Sequence, residues 1–137
     1  MRNVILILIY LLSPLYSFSQ RELGVRPTDT GGPLMFEQSV FDVQSYDVGL
    51  KIDPKSKWIS GTTVMTAKIV IPTNVIVLDL DTPYKIDRIF GEGSDRQAAL
   101  KYERREGKIW IWFPATKQVG ETFETIISYS GTPRVAP

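Results

Sequence analysis

From Tyr46 onward the chain alternates apolar and polar residues in short runs, and turn-forming residues break the runs about every ten positions. Tyr46, Val48, Leu50 and Ile52 alternate with Asp47, Gly49 and Lys51 before the Asp53-Pro54-Lys55-Ser56-Lys57 turn, whose proline fixes the φ of a type I turn. Trp58 to Ile71 follows, with Met65, Ala67, Ile69 and Ile71 on one face, Thr62, Thr66 and Lys68 on the other, and Gly61 as a candidate bulge. After Pro72-Thr73-Asn74, Val75 to Leu80 is apolar at nearly every position, the pattern of a strand covered on both faces or lying deep in a sandwich, and Asp81-Thr82-Pro83 closes it. Tyr84, Ile86 and Ile89 begin another strand, which ends in a turn at Gly91-Glu92-Gly93-Ser94-Asp95. Ala98 to Tyr102 and Lys108 to Phe113 read as a hairpin joined through Glu103-Arg104-Arg105-Glu106-Gly107, and Phe123, Thr125, Ile127 and Tyr129 carry a last strand. Such spacing predicts an all-β fold: a two-sheet antiparallel sandwich of about seven strands, without helix in the mature chain.

The start of the chain has a different logic. Met1-Arg2-Asn3 is a short positive segment, Val4 to Leu12 is an unbroken apolar run, and Ser17-Phe18-Ser19 presents small residues where a signal peptidase reads. Residues 1–19 are therefore expected to be a signal peptide cleaved between Ser19 and Gln20. A membrane anchor is the alternative, but Pro14 and its flanking serines break the stretch short of the about 20 residues a span needs. No stable membrane insertion is expected after cleavage, and without cysteine there is no lipoprotein anchor. The mature protein is expected to be exported, to a periplasm or outside the cell. Residues 20–35, with Pro27-Thr28-Asp29-Thr30-Gly31-Gly32-Pro33, read as a polar leader or surface strap, and residues 36–137 as the sandwich.

Composition then closes several functions. The chain has 16 basic and 15 acidic residues, and losing Arg2 with the signal balances them at 15 each. A neutral, interspersed surface gives no electrostatic basis for binding nucleic acid. With no histidine and no cysteine, the usual zinc sites, a Ser-His-Asp triad and a cysteine nucleophile are all excluded. A carboxylate-only hydrolase remains conceivable on composition but has nothing beyond the presence of acids to support it.

The segment from Gly32 to Asp87 resembles the opening of the aminopeptidase N family of zinc metallopeptidases. The residues carrying the likeness are Gly32-Pro33-Leu34, Phe41-Asp42-Val43, Ser45-Tyr46-Asp47-Val48-Gly49-Leu50-Lys51-Ile52-Asp53-Pro54, Ile59-Ser60-Gly61-Thr62, Val77-Leu78-Asp79-Leu80 and Tyr84-Lys85-Ile86-Asp87. Gly120-Glu121, Ile126-Ile127 and Tyr129-Ser130-Gly131-Thr132-Pro133 are similar to the last strand of the same N-terminal domain. The resemblance implies a β-rich domain beside a thermolysin-like catalytic domain, its partner, which holds zinc through H-E-x-x-H and a later glutamate and the substrate's amino end through Gly-x-Met-Glu-Asn. None of these motifs is present: neither Met35 nor Met65 precedes Glu-Asn. The implied reading is a non-catalytic supporting domain that needs no cofactor itself, zinc being expected only in a downstream catalytic domain. Pro137 would then lie near where the family's chain leaves the sandwich, as in a fragment, a truncated product or a stand-alone relative of that domain.

Two residue sets suggest a different use. Trp110 and Trp112 share one strand face, with Ile109, Ile111 and Phe113 on the other, so a free-standing module contacting carbohydrate or protein through the tryptophans is the alternative. Burial of that face in the interior or under a neighbouring domain is the simpler expectation. Asp79 and Asp81, with Asp47 and Asp53 on a neighbouring strand, suggest a calcium or magnesium site, weighed against plain solvent-facing acids. Glu103 to Glu106 is expected to be a solvated hairpin tip, flanked by Lys101 and Lys108 as guards against further edge pairing.

Overall fold

A computed structural model describes residues 34–91 and 99–134. The expected signal peptide, most of the leader and the Gly91–Asp95 turn beyond Gly91 lie outside the described residues. Among the described residues seven strands follow one short helix: α1 (Phe36–Ser39), β1 (Phe41–Asp53), β2 (Trp58–Ile69), β3 (Thr73–Asp79), β4 (Tyr84–Gly91), β5 (Lys101–Arg105), β6 (Lys108–Lys117) and β7 (Thr122–Gly131). They form a four-stranded sheet in the order β1-β2-β7-β4 and a three-stranded sheet in the order β3-β6-β5. Every pairing is antiparallel. The expected two-sheet sandwich is thus the fold.

The core lies between the sheets. Met65, Ala67, Ile69, Phe123, Ile127, Ile86 and Ile89 from the large sheet meet Ile76, Ile109, Ile111 and Phe113 from the small one. Phe123 is fully buried at its centre, edge-on to Phe41 at 6.1 Å and to Phe113 at 5.1 Å between ring centroids. Ile71 departs from the expected face: β2 ends at Ile69, and Ile71 is exposed in the bend beyond it.

Two bulges set which residues reach this core. In β1 the register shifts between Val43 and Ser45, so the apolar positions change from odd (Phe41, Val43) to even (Tyr46 to Ile52) without leaving the inner face. In β4 the shift lies between Ile86 and Arg88, which lets Ile86 and Ile89 both point inward despite their three-residue spacing. The bulge anticipated at Gly61 is absent, since Gly61 pairs in regular register with Leu50 and Tyr129.

The turns follow their chemistry. Asp53 ends β1 by accepting the amides of Lys55 (3.0 Å) and Ser56 (3.4 Å) and the Ser56 hydroxyl (2.7 Å). These donors, the Ser56 hydroxyl foremost, hold the Asp53 carboxyl below its ordinary pKa. The β5–β6 tip is shorter than the expected loop. Only Glu106 (φ 48°) and Gly107 (φ 79°) turn, both left-handed as a two-residue hairpin with the strands' own twist requires. Arg104 consequently belongs to the strand rather than to a solvated tip. Its Nη2 donates to the carbonyls of Leu80 (2.9 Å) and Asp81 (3.0 Å), tying the β3–β4 connection to the small sheet. Burial lowers the Arg104 pKa from its ordinary value, with Asp81 and Tyr102 acting in the opposite sense.

One core position is suboptimal. Thr125 is fully buried, and its hydroxyl has no hydrogen-bond partner among the described residues. Valine keeps the shape and removes the unpaired polar atom, so Thr125→Val is expected to raise stability by about 1 kcal/mol in urea unfolding. A loss of that size would show instead that the hydroxyl is bonded in solution.

Candidate functional site

The functional geometry grows from a mismatch of lengths. β1 and β2 run for 13 and 12 residues, whereas the small sheet facing them has strands of 7, 10 and 5. At roughly 3.4 Å per residue the β1–β2 hairpin outreaches its cover. Its near half is closed, with Met65 and Ile69 about 1% exposed, while its far half presents Tyr46 (59%), Val48 (49%), Leu50 (54%) and Ile52 (61%) on the same inner face. This alternation has the period of a half-buried strand, yet nothing among the described residues buries it. The stripe begins at an apolar cleft of about 360 Å³ between the sheets, lined among others by Leu34, Phe41, Met65, Leu78 and Tyr129. Charged residues of β1 fall on the opposite face, where Asp47, Gly49 and Lys51 pair with Val64, Thr62 and Ser60. A contiguous apolar stripe of this kind is the mark of a contact surface rather than of a reaction centre.

Trp110 and Trp112 lie together on the outer face of the small sheet, and Ile109, Ile111 and Phe113 fill the core behind them. Both indoles are half-buried. The Arg105 guanidinium stands 5.0 Å from the centre of one and the Lys101 ammonium 5.4 Å from the other, so a cation already occupies a ring face of each. Next to them Val77, opposite Trp110 in β3, is only 1% exposed. Ile76 and Val77 are thus buried on opposite faces of β3, as its continuous apolar run predicted. Trp58 stands apart at the hairpin end, opposite Asp53.

The four acids do not assemble. Asp79 accepts from the Lys108 ammonium at 2.8 Å and from the Gln38 amide at 3.2 Å, while Asp81 pairs with Arg134 at 2.7 Å. Asp47 and Asp53 are in β1, which belongs to the other sheet, so the expectation of a neighbouring strand is corrected. Among the described residues no three acids group as metal ligands would. The zinc that the family resemblance implies finds no fitting donors here, because the chain supplies neither imidazole nor thiolate.

Sequence reasoning missed the uncovered stripe, Arg104 and α1. The stripe had a signal in the length of the alternating β1 run. Arg104 had none, because its partners are backbone carbonyls 23 and 24 residues away.

No protein-family profile and no curated protein matches the chain. Solved structures do. The M1 zinc metallopeptidase from Deinococcus radiodurans superposes with a TM-score of 0.62 at 28% identity, over 73% of this chain and 22% of that enzyme. A mutant of the same enzyme bound to a Tyr-Ser-Ala substrate gives 0.62 at 26% identity, over 72% and 22%. A two-domain M1 zinc metallopeptidase mutant bound to L-tryptophan gives 0.63 at 27%, over 73% and 22%. The chain therefore spans about a fifth of the length of the enzymes it matches. In fold and in sequence, it is similar to one β-sandwich portion of the M1 zinc metallopeptidases, as the ordered residues from Gly32 to Asp87 had indicated.

Proposed function

We propose that this chain is a non-catalytic supporting domain of an exported zinc aminopeptidase, and that its partner is the catalytic metallopeptidase portion. The observation that carries this reading is the match to a 22% share of enzymes that hold such a sandwich within a much longer polypeptide. The uncovered Tyr46–Ile52 stripe supports it, since burying that face against a neighbouring portion removes exposed apolar surface from water. Zinc belongs to the partner, which would cleave N-terminal residues from peptides. This chain would wall the substrate channel and hold the partner in place. Export rests on the signal-like order of residues 1–19.

Elemental analysis of the purified, dialysed chain tests the division of labour. Zinc is expected at far below one ion per chain at micromolar metal. Stoichiometric zinc that survives dialysis would overturn the reading.

A further inference from the structure

β1 is an edge strand, and among the described residues no strand pairs with its outer side. From Ser45 to Asp53 alternate backbone amides and carbonyls of that side point away from β2, which is a template for another strand. Proteins protect such edges with like charges or proline, yet from Ser45 to Asp53 this edge carries both signs, the acids Asp47 and Asp53 and the base Lys51. Asp47 and Lys51 lie two residues either side of Gly49 on the same face, and both are exposed.

We propose that two copies of this chain pair antiparallel through the free edge of β1, about a two-fold axis at Gly49. In that register Asp47 faces the partner's Lys51 and Lys51 faces the partner's Asp47, so one self-complementary patch makes two ion pairs. On the other face Val48 meets the partner's Leu50, and Tyr46 meets the partner's Ile52. The four exposed apolar side chains thereby gain cross-strand neighbours. Gly49 at the axis leaves the close central approach unobstructed. Pro54, with no amide hydrogen to donate, ends the pairing on each side. The large sheet becomes a continuous eight-stranded sheet across the dimer. Like charges at symmetric positions would forbid this register, and opposite charges select it. The pairing is independent of the supporting role, because it uses the strand's edge and leaves the inner face open to a partner domain.

Sedimentation equilibrium of the purified chain, with Asp47→Lys, Lys51→Asp and the double variant, tests the proposal. The wild-type chain is expected to form a dimer. Each single variant turns both ion pairs into like-charge pairs and weakens the dimer by about ten-fold or more. The double variant restores opposite charges and returns the dimer to near wild-type strength. A monomeric wild-type chain would overturn the proposal, and so would a dimer indifferent to the single changes, which would place the interface on another surface. Circular dichroism confirms that the variants, all at exposed positions, keep the β fold.

Discussion

Phe123→Ala is expected to cost about 3–5 kcal/mol, a large part of the 5–15 kcal/mol that holds a domain of this size. The phenyl ring is fully buried and touches two other rings edge-on, one from β1 and one from β6, so it joins both sheets at the middle of the core. Its loss removes the apolar transfer energy and leaves a cavity that these fixed neighbours do not refill. Urea unfolding measures the loss directly, and the thermal midpoint should fall by about 10 °C or more. A cost below about 1 kcal/mol would mean that the two sheets do not meet at this ring.

Gly131→Ala is the second large effect and acts through the backbone. A methyl group on Gly131 would stand 2.5 Å from the Pro83 carbonyl oxygen and 3.0 Å from the Tyr84 Cα. Both are main-chain atoms where β4 begins beside the end of β7, and no rotamer change relieves the clash. The strands must part locally, at an expected cost of about 2–3 kcal/mol. Gly49→Ala is the control. There the nearest atom of the same chain would be the Thr62 carbonyl oxygen at an ordinary 3.9 Å, and at concentrations where the chain is monomeric the change should stay within about 0.5 kcal/mol. Equal effects at the two positions would contradict the placement of β4 against β7.

The contrast between these glycines shows what the sequence could carry. Period-2 alternation placed Met65, Ala67, Phe123 and Ile127 in the core, and the Ile109/Ile111/Phe113 face was separated correctly from Trp110 and Trp112. Local chemistry also located the Asp53 turn, whose side chain satisfies the amides of Lys55 and Ser56. What escaped was long-range. Whether alternating apolar residues are covered depends on how far the opposite sheet extends, and no local pattern reports that length. Tyr46 to Ile52 and Met65 to Ile69 have the same alternation, yet one lies open and the other is closed. The parity change across Gln44 was visible in the residues, but only the pairing with Met65 and Ala67 shows it to be a bulge. The short Glu106-Gly107 turn was legible in its glycine. Its neighbour Arg104 was counted with the loop because the carbonyls it binds come from a different connection.

In the function proposed above, the chain contributes shape and contact surface, the Tyr46–Ile52 stripe foremost, and chemistry belongs to another portion of a metallopeptidase. The most direct test is hydrolysis of aminoacyl chromogenic substrates by the purified chain, with and without added zinc. The account predicts no turnover under either condition. Turnover that persists through repurification would contradict it and would require a site built from carboxylates, lysine or tyrosine in a chain without histidine or cysteine.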